Sequence, residues 1–183
     1  EAIDAFDFVL AINPSFAAAY FSKGNLLAHL EKHEEAIEVY KETFELEAPG
    51  GVVYCYIAEC YEKLQQFELS LEFYNKAISI DPEFGDSWLG KAICLDELGR
   101  TKDAYNCIQK ALDIDKENAD YWYAFSELED KLGQTEDAIF SFKKALSYNQ
   151  EEPELFLEFA DLIMKTNNHE AAIAAIHEGL NLH

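Results

Sequence analysis

Hydrophobic positions in this chain recur with two periods at once. Over short stretches, apolar residues return every three or four positions, the spacing of an amphipathic helix. Over the whole chain, small residues return every 34 positions, from Ala2 through Ala36, Ser70, Ala104 and Ala138 to Ala172, without insertion or deletion. Other series keep this register. Tyr20, Tyr54, Trp88, Trp122 and Phe156 place one aromatic near the start of each first helix, large enough to be the main apolar anchor of its repeat. Gly24, Ala58, Ala92, Ser126 and Ala160 follow four residues later, where a small side chain lets a second helix come close. Val9, Thr43, Ala77, Ala111, Ala145 and Gly179 form another mostly small series. Bulky residues lie between, as Phe6, Tyr40, Tyr74, Ile108, Phe142 and Ile176, then Ile12, Leu46, Ile80, Ile114, Tyr148 and Leu182. Large side chains filling the gaps left by small ones is how packed helices interdigitate.

The pattern predicts pairs of short helices joined by tight turns. An opening helix ends at Asn13-Pro14-Ser15; the next pair runs around Tyr20 to Leu30 and Glu34 to Leu46. Turns follow at Gln65-Gln66, Leu98-Gly99, Leu132-Gly133 and Asn167-Asn168, with Gly99 and Gly133 suited to the left-handed conformation that ends a helix. Thr101 and Thr135 are then expected as N-caps, with Asp103, Glu136 and Asp137 placed against the dipole of the new helix. Pro49-Gly50-Gly51 predicts a locally altered turn.

On these residues the chain resembles the tetratricopeptide repeats, whose pattern W-x2-L-G-x2-Y, then A-x3-F, then A and P, recurs here in nearly every copy. Local departures are Lys23, Lys91 and Glu129 at usually apolar positions, and Lys116 and Gln150 where Pro14 and Pro82 mark the exit from a second helix. The resemblance implies an all-α fold, a right-handed superhelical solenoid of antiparallel helical hairpins. It implies a single array over 1–183: the second helix of a truncated repeat in 1–16, then units 17–50, 51–84, 85–118, 119–152 and 153–183. Because the pattern opens midway through one repeat and stops before another closes, a longer parent protein with uncapped ends to this piece is expected.

The resemblance also implies a concave surface lined by the first helices. On this chain the family's groove positions hold Phe21 and Asn25 in the first unit, Tyr56, Glu59 and Glu62 in the second, and Asp86, Leu89 and Ile93 in the third. Asp120, Tyr123 and Glu127 follow in the fourth, Leu157 and Asp161 in the fifth. Family members that hold acidic chaperone tails use a Lys, Asn and Arg clamp. Only Asn25 matches it; Phe21, Tyr56, Asp86 and Gly90 stand at the other clamp positions, so a carboxylate would be repelled. The expected partner is instead a protein segment that is basic with apolar anchors, gripped by the aromatics and met by the acids. The alternative is a structural or regulatory array that packs on another domain of the same protein or self-associates end to end through its uncapped ends.

Charge sharpens this picture. Lys and Arg number 14 against 36 acids, for a formal net charge of -22. That balance disfavours nucleic acid and anionic membrane surfaces, both of which need a basic stripe. No apolar run approaches the roughly 20 residues of a membrane helix. Cys55, Cys60, Cys94 and Cys107 show no ligand spacing and read as small buried hydrophobes; as reduced thiols they fit a cytoplasmic setting. His29 and His33 have a metal-like spacing but fall on either side of a turn. Acid pairs such as Glu34-Glu35 and Glu151-Glu152 suit helix starts. With no phosphate loop, nucleophile elbow or catalytic triad to assemble, the sequence reads as a non-catalytic scaffold without cofactor or metal.

Overall fold

The 34-residue period reappears as helix starts. A computed structural model describes residues 2–46, 48–149 and 153–180. After α1 (Ala2–Ile12), first helices α2 (Ala17–His29), α4 (Gly51–Lys63), α6 (Gly85–Glu97), α8 (Ala119–Lys131) and α10 (Pro153–Met164) begin 34 residues apart. Second helices α3 (His33–Glu42), α5 (Phe67–Ile80), α7 (Thr101–Ile114), α9 (Thr135–Tyr148) and α11 (His169–Leu180) keep the same interval. The fold is all-α, with no strand among the described residues. α3 is shorter than predicted: it stops at Glu42 and passes into a 3₁₀ turn over Thr43–Glu45, ahead of the loop carrying Pro49. Of the residues named above, Gln150, Leu182 and the acid pair at 151 and 152 lie outside the described residues.

One backbone device makes each turn. Glu31, Gln65, Gly99, Gly133 and Asn167, at the same place in five successive repeats, all have φ between 58° and 79°. This left-handed residue reverses the chain after each first helix, and Gly99 and Gly133 adopt it without steric cost. The expected caps need correction. Thr101 and Thr135 are the first helical residues, and Arg100 and Gln134 at the cap positions make no side-chain cap hydrogen bond. Only one residue separates each left-handed glycine from the next helix, so the helix begins one position early. Asn118 does cap, accepting from the amides of Asp120 and Tyr121 at 2.9 and 3.2 Å.

Two compact units form, Glu1–Leu98 and Gly99–His183. In the first, Ala36 and Ser70 are fully buried, as the small series predicts, and Leu27, Tyr40, Ile57, Tyr74 and Cys94 pack around them. In the second, Ala138 and Ala172 lie among Phe142, Leu146, Phe156, Phe159 and Ile163. Ala2, by contrast, is exposed. Of the first-helix aromatics only Phe156 is a buried anchor, 3% exposed. Tyr20, Tyr54, Trp88 and Trp122 are only half-buried, while Tyr40, Tyr74 and Ile108 from the second helices are at most 1% exposed. A Trp so placed keeps its polar edge near a loop: the indoles of Trp88 and Trp122 donate to the carbonyls of Pro82 and Lys116 at 2.9 and 2.8 Å. The last bulky series also differs, since Ile12, Leu46, Ile80 and Tyr148 are exposed at the ends of the second helices.

Candidate functional site

Within the first unit, α4 touches both α2 and α6, so side chains from three first helices can share one face. Phe21 meets Tyr56 edge-on, with ring centroids 5.4 Å apart. Tyr40 reaches up from α3 beneath them, 5.9 Å from Phe21 and stacked 6.0 Å from Tyr56. Its hydroxyl donates to Asn25 Oδ1 at 2.6 Å. Gly24 makes this possible, because a Cβ there would strike the Tyr40 ring.

The carboxylates come next along the face. Glu62 Oε2 accepts from the Tyr74 hydroxyl at 3.0 Å, and Glu59 accepts from the Cys55 thiol at 3.5 Å. Burial holds both acids above the usual carboxylate pKa. For Glu59 the thiol hydrogen bond opposes this, while the charges of Glu62 and Asp86 add to it. For Glu62 the Tyr74 hydrogen bond and Lys63 pull down, and Glu97 pushes up. The cation nearest Glu62, the Lys63 ammonium, stands 3.8 Å from its other oxygen and is itself exposed. The structure therefore groups Phe21, Asn25, Tyr56, Glu59, Glu62 and Asp86. Leu89, half-buried, and Ile93, exposed, continue from Asp86 along α6 at helical spacing.

In the second unit, Tyr123, Glu127 and Asp161 line an open cleft of about 230 Å³ together with Asp130, Glu158 and Lys165. The Tyr123 hydroxyl donates to Glu158 Oε2 at 2.7 Å, and Lys165 pairs with Asp130. Burial and the neighbouring acids push the Tyr123 phenol well above its ordinary pKa. Phe142, the counterpart of Tyr74 two repeats on, meets Tyr123 edge-on at 5.3 Å. Asp120 and Leu157 are exposed on α8 and α10 and do not line this cleft.

Sequence reasoning missed the second-helix contributions. Tyr40 and Tyr74 were read as core, yet their hydroxyls fix polar groups of the face; a Tyr at a core position opposite Gly24 or Gly90 was the available signal. Gly90 parallels Gly24, since a Cβ there would collide with the Tyr74 hydroxyl. Glu129, at a usually apolar position, is 4% exposed and accepts from Ser141 at 2.6 Å. Asp130, Glu158 and Lys165 also fall at the family's groove positions; their pairing depends on side chains of α8 and α10 meeting across the cleft.

Other chemistry is sparse. All four cysteines are buried. Burial pushes the Cys94 thiol up to about 11 and those of Cys55 and Cys60 to about 12, which suppresses the nucleophilic thiolate. His29 ends α2 and His33 begins α3, and no group of three metal-ligating side chains occurs among the described residues. No helix among them is long and apolar enough to cross a membrane.

Comparison with known proteins agrees with the helix register. Among curated proteins the sequence finds no match. Among solved structures, the chain is similar to the anaphase-promoting complex subunit assembly Cut9–Hcn1 (TM-score 0.84, 18% identity), matched over all of this chain and 36% of that one. It is similar to MamA from Desulfovibrio magneticus RS-1 (TM-score 0.78, 17% identity, 91% of this chain and 94% of that one). It is also similar to YrrB, described as a tetratricopeptide protein with an unusual peptide-binding site (TM-score 0.71, 19% identity, 98% and 93%). Models of the tetratricopeptide repeat match residues 1–44, 52–84, 73–105 and 119–152. With the period, the left-handed turns and the small-residue contacts all falling in that register, the chain belongs to the tetratricopeptide repeat family.

Proposed function

We propose that this chain is a non-catalytic scaffold whose first-helix faces bind a basic protein segment with apolar anchors. The observation that carries this reading is the state of Glu59 and Glu62. Two carboxylates held partly out of water, beside Asp86 and Glu97, carry more negative potential than Lys63 offsets. A Lys or Arg from a partner relieves that potential, while Phe21 and Tyr56 supply the adjoining apolar contact. In the second unit, Glu127, Glu158 and Asp161 beside Tyr123 repeat the combination at a more exposed site. That YrrB is described as binding peptide is consistent with this use of the fold.

The test is a calorimetric titration with short peptides that alternate Lys or Arg with Leu or Phe, at two salt concentrations. Binding should be saturable, weaken with salt, and weaken further in Glu59→Gln with Glu62→Gln. Binding indifferent to ionic strength removes the electrostatic part of the reading.

A second reading, self-association through the terminal helices, is favoured by one observation. Phe8 and Ile12 on α1 are 69% and 71% exposed, and Ile173 and Leu180 on α11 are 56% and 65% exposed. Sedimentation across a concentration series separates the two readings: a dimer that Phe8→Ser with Ile12→Ser disperses supports the second.

A further inference from the structure

The second unit carries another concavity, on a different flank of α8. At about 100° per residue, Trp122 and Phe125 point well away from Tyr123, Glu127 and Asp130. They form the wall of an open cleft of about 630 Å³ between α7 and α8. Trp122 and Phe125 are its aromatic lining, and a row of rings runs on beyond them. Tyr105 and Phe125 lie 4.7 Å apart, Phe125 meets Trp122 edge-on at 6.2 Å, and Trp122 meets Phe140 edge-on at 6.5 Å. Phe140 is 59% exposed.

Lysines outnumber acids two to one along this lining. Lys110 and Lys116 line the cleft, and Lys144 sits over the Phe140 ring at 5.9 Å. Asp113 is the one carboxylate among the lining residues, 3.8 Å from Lys110 in an exposed pair. Such a pair holds a lysine weakly, so Lys110 can turn to a stronger anion. Elsewhere a net charge of -22 repels acidic segments. Here Lys110 and Lys116 flank Trp122 and Phe125.

We infer that the cleft between α7 and α8 is a second docking site, and that it takes an acidic protein segment bearing an aromatic or large aliphatic anchor. The anchor lies on Trp122 and Phe125, and flanking Asp or Glu side chains meet Lys110 and Lys116. This partner is the charge opposite of the one proposed for the first-helix faces, and the inference does not rest on that proposal. A chain with both sites can hold two different segments at once.

Trp122 provides the readout. The protein has two tryptophans, so Trp88→Phe leaves Trp122 as the sole indole. The probe is a short peptide with a Phe-Leu centre flanked by Glu and Asp; its control carries Lys in place of the acids. The acidic peptide should produce a saturable change in Trp122 emission. Lys110→Glu with Lys116→Glu should weaken it by about tenfold or more, as expected for two reversed rim charges. Should the double reversal disturb helicity, Lys110→Ala with Lys116→Ala gives the same direction with a smaller shift. The inference is overturned by an emission change that does not saturate, by equal response to the basic control, or by full affinity in the lysine variants. A concentration-dependent dimer that the lysine variants disperse also overturns it, since a second copy then fills the cleft.

Discussion

The two units treat the same register position differently. In the first, α5 presents Tyr74, whose hydroxyl holds Glu62; in the second, α9 presents Phe142, which has no hydroxyl to offer. The acid equivalent to Glu62 is Asp130, and there Lys165 from α10 meets it instead. Glu59 is likewise half-buried with a raised pKa, whereas its counterpart Glu127 is exposed. One second-helix atom thus decides how a face is built. With the tyrosine, a carboxylate is fixed and kept partly dry. Without it, the carboxylate lies at a wetter surface and is satisfied by a neighbouring cation.

The largest effect that probes this difference is removal of the shared anchor. Tyr74→Ala should destabilise the protein by about 3–5 kcal/mol in chemical unfolding, since the side chain is 1% exposed. Trp88→Ala should cost less, because that ring is half-buried. If Trp88→Ala proves the costlier change, the anchor has been assigned to the wrong helix.

Tyr74→Phe makes the first unit resemble the second at this position. Loss of the hydroxyl should cost about 1–3 kcal/mol, because Glu62 keeps its burial without its donor. The Glu62 pKa, followed by carboxyl NMR, should rise further in this variant; an unchanged value would show that the hydrogen bond does not restrain it.

Smaller still is the pH dependence. Glu59 and Glu62 have folded pKa values above the ordinary carboxylate value of 4.5, so the folded state binds more protons than the unfolded state in the window between the two. Their contribution to stability therefore falls as pH rises through the raised values, and is recovered on acidification toward 4.5. Glu59→Gln with Glu62→Gln should flatten this slope. The same slope in wild type and variant would place its source in other acids.

The smallest effect belongs to the second unit. Lys165→Met should change stability by less than about 1 kcal/mol, as the lysine is more than half exposed. A larger loss would mean that Asp130 depends on its cation as Glu62 depends on Tyr74.

Much of the fold was legible in the sequence, and the reasons are local. A small residue at Ala36, Ser70, Ala104, Ala138 and Ala172 has one use in a helical hairpin, close approach, and all five are buried. Gly99 and Gly133 marked the left-handed turns, which Glu31, Gln65 and Asn167 share. Legibility failed where a side chain has two ends. Trp88 and Trp122 looked like anchors by size, but their indole N–H groups seek loop carbonyls and hold the rings at the rim. Tyr40 and Tyr74 were recognisable as bulky core residues, while the reach of their hydroxyls to Asn25 and Glu62 depends on the space over Gly24 and Gly90. Within each unit, the spread of acids along the first helices followed from the register; which of them is dry did not, because desolvation is set by the neighbouring repeat.

The central claim is that dry, under-compensated carboxylates on the first helices attract a cationic segment. The most direct test is the affinity of a Lys-and-Leu peptide for wild type and for Glu59→Gln with Glu62→Gln, measured from pH 5 to 7.5. The account predicts wild-type affinity that rises with pH as the two acids ionise, and a variant that binds more weakly with a flatter profile. Wild-type affinity that stays level across this range, or a variant that binds as tightly, would contradict it.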